Sequence, residues 1–186
     1  MPRITTGSAR GITLKSVPDE SVRPTSDRAK QAVFSALGTR VSRSTFLDMY
    51  AGTGQMGLEA LSRGCPRAVL VEKDRRLLPV LKENCRRTQL NPEILMKRAS
   101  QATERFLRTG ERFDIIYMDP PWPIWEAEAA HLKQFLPDLL APDGVLIMEH
   151  PKRTEPDLSP LTVDRVYHYG QTTITFWTHE KGARHG

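Results

Sequence analysis

From Phe46 onward, short apolar runs alternate with stretches whose apolar residues recur at helical spacing. The runs at 46–50, 68–72, 94–97, 113–118 and 144–149 predict strands, and the stretches between them predict helices over 56–63, 75–90, 101–108 and 126–140. Pro79 fits poorly inside the second of these helices and marks either its first turn or a kink. Strands and helices in strict alternation predict an open parallel sheet covered on both faces. The last segment breaks the rhythm. Two apolar-alternating runs, 162–169 and 172–178, flank Gly170-Gln171 and read as a hairpin, which adds antiparallel pairing at one sheet edge.

The first 43 residues follow a different pattern. They are punctuated by Gly and Pro, and the runs 4–6 and 12–15 around Gly7 and Gly11 could pair as a small hairpin. Asp27 could cap a helix with apolar positions Ala29, Val33, Phe34 and Leu37, ending at Gly38. This segment holds eight Lys/Arg against three Asp/Glu, which accounts for the whole formal charge of +5 and leaves residues 44–186 neutral. A localised basic segment on a neutral body is the footprint of a polyanionic partner, and a solvated basic terminus is the plainer alternative. We therefore divide the chain into a basic extension, 1–43, and a catalytic domain, 44–186.

Other classes drop out on composition. The 186 residues suit one core, and no stretch reaches the roughly 20 apolar residues of a membrane span. The amino-terminal residues have no apolar run of the secretory kind. Cys65 and Cys85 form no CxxC, and the five histidines lack metal-ligand spacing, so neither a disulfide framework nor a metal is expected. The expected location is a reducing cytoplasm.

The first strand runs into Asp48-Met-Tyr50-Ala51-Gly52-Thr53-Gly54-Gln-Met-Gly57, a Gly-rich turn followed at once by a helix. Glycines there let the backbone turn sharply and a ligand approach closely. Glu72 ends the next strand, where a carboxylate can accept from both hydroxyls of a ribose, and Lys73 follows it. A carboxylate at Asp48 would repel a pyrophosphate but suits a cationic ligand, which favours S-adenosylmethionine over a dinucleotide. Ser100, Gln101 or Ala102 would flank the adenine. The predicted fold is thus α/β and Rossmann-like, the class I methyltransferase arrangement with a mostly parallel seven-stranded sheet and a C-terminal antiparallel hairpin.

Asp119-Pro120-Pro121-Trp122 follows the fourth strand. An exocyclic amine on a nucleobase is a poor nucleophile because its lone pair is delocalised into the ring. Acceptors aimed at its two hydrogens, here the Asp119 carboxylate and the Pro120 carbonyl, would orient it for in-line attack on a methyl group. Trp122 offers a flat face for the base, with stacking worth roughly 1–3 kcal/mol. A strand terminator and a core aromatic are the plain alternatives for the prolines and the tryptophan. Trp125 is either a second stacking surface or a residue packed under the loop.

Together these motifs resemble a known family, the bacterial 16S ribosomal RNA guanine-N2 methyltransferases of the RsmD type. The resemblance covers Arg3-Ile4, Gly7, Arg10-Gly11, the run Val22-Arg23-Pro-Thr25-Ser-Asp-Arg28, the segment from Leu47 to Arg63, Val71-Glu72, Asp119 to Trp122 and Tyr169-Gly170. It implies transfer of one methyl from S-adenosylmethionine, with S-adenosylhomocysteine as product, to the N2 amine of a guanine in small-subunit ribosomal RNA. It implies a monomer acting on that RNA, on the small subunit or on an assembly intermediate, with Arg3, Arg10, Arg23, Thr25 and Arg28 holding RNA. The chain departs from the family pattern at Lys30-Gln31, Ser35, Trp122 and Gln101. Other amine substrates stay open at this point: adenine or cytosine in DNA or RNA, and a protein glutamine. A nucleotide-binding module without methyl transfer is the remaining alternative, and it leaves Asp119–Trp122 unexplained.

Overall fold

The computed structural model describes residues 1–18 and 26–181. They form two compact units, one of Met1–Ala99 and one beginning at Ser100. The strand order is β3-β2-β1-β4-β5-β7-β6, a mostly parallel seven-stranded sheet with an antiparallel hairpin at its end, as the sequence pattern predicts.

In the first unit, β1 (Thr45–Asp48), β2 (Arg67–Glu72) and β3 (Glu93–Met96) pair in parallel, with Asp48 opposite Leu70 and Glu72 opposite Met96. The near-continuous burial of β2 is that of a strand covered on both faces, whereas the outer strand β3 stays half exposed. The helices α1 (Asp27–Leu37), α2 (Gln55–Ser62) and α3 (Leu78–Thr88) accompany them, with a 3-10 turn, Gly38–Arg43, after α1. Pro79 sits in the first turn of α3, where its missing N–H costs nothing, and a short 3-10 turn Arg75–Leu77 precedes it. The N-cap of α1 is Ser26, whose hydroxyl accepts from the Ala29 amide at 3.1 Å. Asp27, expected as the cap, is instead the first helical residue, where its charge still favours the positive helix end.

The expected hairpin of runs 4–6 and 12–15 is reduced to an isolated antiparallel bridge, Arg3 to Thr13, within a folded arm. Hydrogen bonds from Ile4 N to Ile12 O and from Leu14 N to Pro2 O close it. The arm gains more by docking than by laddering. Ile4, Ala9 and Leu14 are buried with Leu58 of α2, and Ile12, Cys85 and Leu90 pack around them. Gly7 makes this fit possible. It has φ +90°, and a Cβ there would lie 1.7 Å from the Ser62 carbonyl oxygen.

In the second unit, α4 (Ala99–Thr109) begins at the boundary, followed by β4 (Phe113–Met118), which pairs in parallel with β5 (Leu140–Pro151). β5 then pairs antiparallel with β7 (Thr172–Thr178), which pairs with β6 (Thr162–Tyr169). The strand expected at 144–149 starts earlier, at Leu140, beyond a register shift against β4. The polar Pro142-Asp143 stretch hides that start from a pattern reading. The single helix expected over 126–140 is two, α5 (Trp125–Leu132) and α6 (Leu136–Leu139), because Pro137 cannot continue a helix and Leu140 is already extended. Among the described residues no helix is long and apolar enough to cross a membrane, and no cluster of metal-binding side chains occurs.

Candidate active site

The glycine loop is built from one strand end and braced by the next. β1 stops at Asp48 and α2 starts at Gln55. Between them the Ala51 amide bonds the Val71 carbonyl at 2.9 Å, and the Gly54 amide closes a tight turn on the Ala51 carbonyl at 2.8 Å. Gly54 is left-handed, and a Cβ on it would lie 2.4 Å from Leu81 Cδ1, so helix α3 packs directly against the loop. Ala51 is buried, while Tyr50, Gly52 and Thr53 are half exposed and Lys73 is exposed.

Two carboxylates frame this loop. Asp48 is 2% exposed, and its Oδ1 accepts from the Tyr50 amide at 3.3 Å. Glu72 accepts from the Gly52 amide through Oε2 at 2.8 Å and from the Asp74 amide through Oε1 at 2.7 Å. Each carboxylate oxygen has two lone pairs, so Glu72 retains one per oxygen for hydroxyl donors while its orientation is fixed by the loop itself. Two fixed negative charges oppose a pyrophosphate and suit a ligand with a sulfonium and an ammonium. Ser100, Gln101 and Ala102 occupy the first turn of α4, with Gln101 exposed and Ala102 buried.

At the end of β4, Asp119 is half exposed, Pro120 buried, Pro121 exposed and Trp122 half exposed. Pro121 is extended at φ −54° and ψ 133°, and its carbonyl accepts from the Ile124 amide at 3.0 Å. That bond closes the 3-10 turn Trp122–Ile124 and sets the indole at the edge of an open hollow of about 620 Å³, lined by Trp122, Pro123, Trp125, Glu126, Ala127 and Ala130. A nucleobase fits such a volume. Trp125 packs under the loop, its ring centroid 6.0 Å from that of His150.

Some residues that shape these loops carry no sequence signal of their role. Tyr117, buried near the end of β4, donates its hydroxyl to Glu149 Oε1 at 2.5 Å, and both side chains are buried. His150 is buried beside them, with its ring nitrogens 2.7 Å from Thr154 Oγ1 and 2.8 Å from Thr175 Oγ1. Burial pushes its pKa down, a backbone bond to Pro151 opposes that, and His168 adds to it, so the ring favours its neutral form.

Of the residues expected on RNA, Arg3, Arg10 and Arg28 are exposed, while Arg23 and Thr25 lie outside the described residues. The arm is thus amphipathic, with aliphatic side chains against α2 and α3 and arginines outward. Lys30, which belongs to the same basic segment, leaves the surface altogether. It is fully buried, 3.3 Å from Glu59 Oε2, and donates to the Arg3 carbonyl. Glu59, also fully buried, further accepts from the Thr5 and Thr6 amides and from Arg63 Nε, so one carboxylate of α2 buckles the arm down.

A family model described as "Conserved hypothetical protein 95" matches residues 2–178 of this chain. The small-subunit ribosomal RNA methyltransferase D of Haemophilus influenzae is 31% identical over 153 residues, 81% of this chain and 79% of that protein. The solved structure of a hypothetical protein of Thermus thermophilus superposes with a TM-score of 0.84 at 35% identity, covering 97% of this chain and 100% of that one. An RNA methyltransferase of Salinibacter ruber, solved with S-adenosyl-L-homocysteine, shares the fold at 14% identity with a TM-score of 0.65, covering 88% of this chain and 98% of that one. With a model that spans nearly its whole length, this chain belongs to the RsmD-like family of ribosomal RNA methyltransferases.

Proposed function

We propose that this chain is an S-adenosylmethionine-dependent methyltransferase that methylates the exocyclic N2 amine of a guanine in small-subunit ribosomal RNA. The observation that carries the reading is Asp119-Pro120-Pro121-Trp122 at a strand's carboxyl end, with Trp122 lining an open hollow wide enough to admit a nucleobase. The similarity to a small-subunit ribosomal RNA methyltransferase supports the substrate class.

S-adenosylmethionine, when bound, supplies an electrophilic methyl on a sulfonium sulfur. The residues around it divide the remaining work. Glu72 takes the ribose hydroxyls with its second lone pairs, and Asp48, with Tyr50 to Gly54, faces the cationic amino-acid end. Lys73, Gln101 and Ala102 complete the adenosine side. Trp122 stacks on the guanine, which must first leave its helix or loop. The Asp119 carboxylate and the Pro120 carbonyl accept from the two N2 hydrogens and turn the nitrogen lone pair towards the methyl. As the N–C bond forms and the S–C bond breaks, the amine sheds one proton through Asp119 to water. Pro121 stiffens this segment so that the acceptors stay aimed. Arg3, Arg10 and Arg28 on the described surface, with Arg23 and Thr25, contact RNA phosphates.

Asp119→Ala is expected to reduce transfer at least 100-fold. Calorimetric affinity for S-adenosylhomocysteine is expected to stay within about twofold, because Asp119 acts on the amine and not on the cofactor. Undiminished turnover would contradict the assignment. Glu72→Ala is expected to reverse the pattern, with cofactor affinity lost first.

A further inference from the structure

We infer that Asn84 is a positioning residue that locks the N-terminal arm and the cofactor loop into one register, so that arm seating and cofactor binding strengthen each other. The inference rests on the reading of residues 50–54 as the cofactor loop. Asn84 lies on α3, fully buried, and touches two segments far from it in sequence. Its Oδ1 accepts from the Lys15 amide at 2.7 Å. Its Nδ2 donates to the Lys15 carbonyl at 3.0 Å and to the Thr53 carbonyl at 3.0 Å. One amide orientation satisfies all three bonds, since both hydrogens point at carbonyls and the oxygen at an N–H.

Lys15 belongs to the arm and Thr53 to the loop, so a planar and rigid group bridges them inside the protein. The neighbouring turns of α3 reinforce the bridge. Leu81 fills the space that a Cβ on Gly54 would need, and Arg87 Nη1 donates to the Thr13 carbonyl at 2.7 Å. Cys85 packs against both the arm cluster of Ile4, Ala9, Leu14 and Leu58 and the loop cluster of Ala51, Leu70 and Leu81. Movement of the Thr53 carbonyl therefore costs the arm its anchor, and release of the arm costs the loop its brace. By linkage, a ligand that favours the braced loop tightens the arm by the same factor. Beyond Lys15 the chain runs on to the Arg23–Arg28 segment assigned above to RNA, which makes the arm the element through which RNA and cofactor would sense each other.

The test is Asn84→Asp, which keeps size and the acceptor for Lys15 N–H but replaces the two donated hydrogens with an oxygen facing two carbonyls. We expect its Kd for S-adenosylhomocysteine, by calorimetry, to rise about tenfold, the equivalent of one buried hydrogen bond. In the wild type, S-adenosylhomocysteine should slow hydrogen exchange at the Lys15 amide, and in Asn84→Asp that slowing should vanish. Thr88→Val is the control. Among the described residues its hydroxyl bonds only to carbonyls of its own helix, at Asn84 and Cys85, so the variant should lose thermal stability yet keep Kd within twofold. An unchanged Kd in folded Asn84→Asp overturns the inference. So does an equal rise in Thr88→Val, or a wild-type Lys15 amide indifferent to S-adenosylhomocysteine. If Glu72→Ala binds like wild type, the loop reading itself fails. If Glu72→Ala loses binding while Asn84→Asp does not, only the role of Asn84 fails.

Discussion

At the scale of single residues, the polar groups buried in this protein divide into those that hold charge and those that avoid it. Lys30 and Glu59 are buried against each other as an ion pair: desolvation lowers the Lys30 pKa, and Glu59 opposes that shift through its charge and a hydrogen bond. Such a pair is costly to break because the surviving partner is left as an uncompensated buried charge. His150 takes the other course and favours neutrality between two threonine hydroxyls. Its folded pKa lies below the ordinary value of 6.5, so just below that pH the unfolded chain binds more protons than the folded one. The stability it confers is complete above about pH 6.5 and is lost as the pH falls through the lowered value. The thermal midpoint should therefore fall as the pH drops below about 6.5, and His150→Gln should flatten that fall. Glu83 and Asp157, held at about 2 by Arg86 and Lys133, titrate well below this window. Equal slopes in the two proteins would assign the loss elsewhere. The long-range pairings of Lys30, Glu59 and Asn84 leave no mark in the sequence, where each is a single polar residue on a helix. The arm residues that Lys30 and Asn84 hold, Arg3 and Lys15, lie 27 and 69 residues away, beyond the reach of any local pattern.

Elements were legible in proportion to how regular their burial is. β4, β6 and β7 keep the predicted bounds, because apolar runs or alternations bounded by turns leave little freedom. Where tertiary contact replaces local regularity, the sequence misleads: the arm is a docked loop and not a ladder, and the stretch before β5 breaks at 133–135, just ahead of Pro137 in the first turn of α6. The glycine loop and the Asp119–Trp122 segment were visible because their chemistry is concentrated in consecutive residues. The clasp that holds the arm was not, although one residue of it, Gly7, can be tested simply. Gly7→Ala must place a methyl on a φ of +90°, which costs about 1–3 kcal/mol, and 1.7 Å from a carbonyl oxygen. A fall of at least about 4 °C in thermal midpoint is expected, with faster proteolysis of the arm. A midpoint within about 1 °C of wild type, on the order of the assay error, would mean that the arm is not seated on Ser62.

For the whole molecule, the division of charge is the informative quantity. The first 43 residues carry the full surplus of +5 over a neutral remainder, and structure refines that tally by burying Lys30 while leaving Arg3, Arg10 and Arg28 exposed. Arginines on a docked, amphipathic arm are suited to the phosphates of a folded RNA, which a small enzyme can recognise by shape. The Asp119–Trp122 segment follows one strand and the glycine loop another, each at a carboxyl end, where ligands of open α/β sheets bind. The central claim, methyl transfer to guanine N2 in small-subunit ribosomal RNA, is tested most directly with tritiated S-adenosylmethionine. The acceptors are ribosomal RNA and small subunits from cells lacking this protein, digested afterwards to nucleosides. The account predicts label in N2-methylguanosine at a single site, abolished by Asp119→Ala. Label in another nucleoside, in DNA or in protein would contradict it.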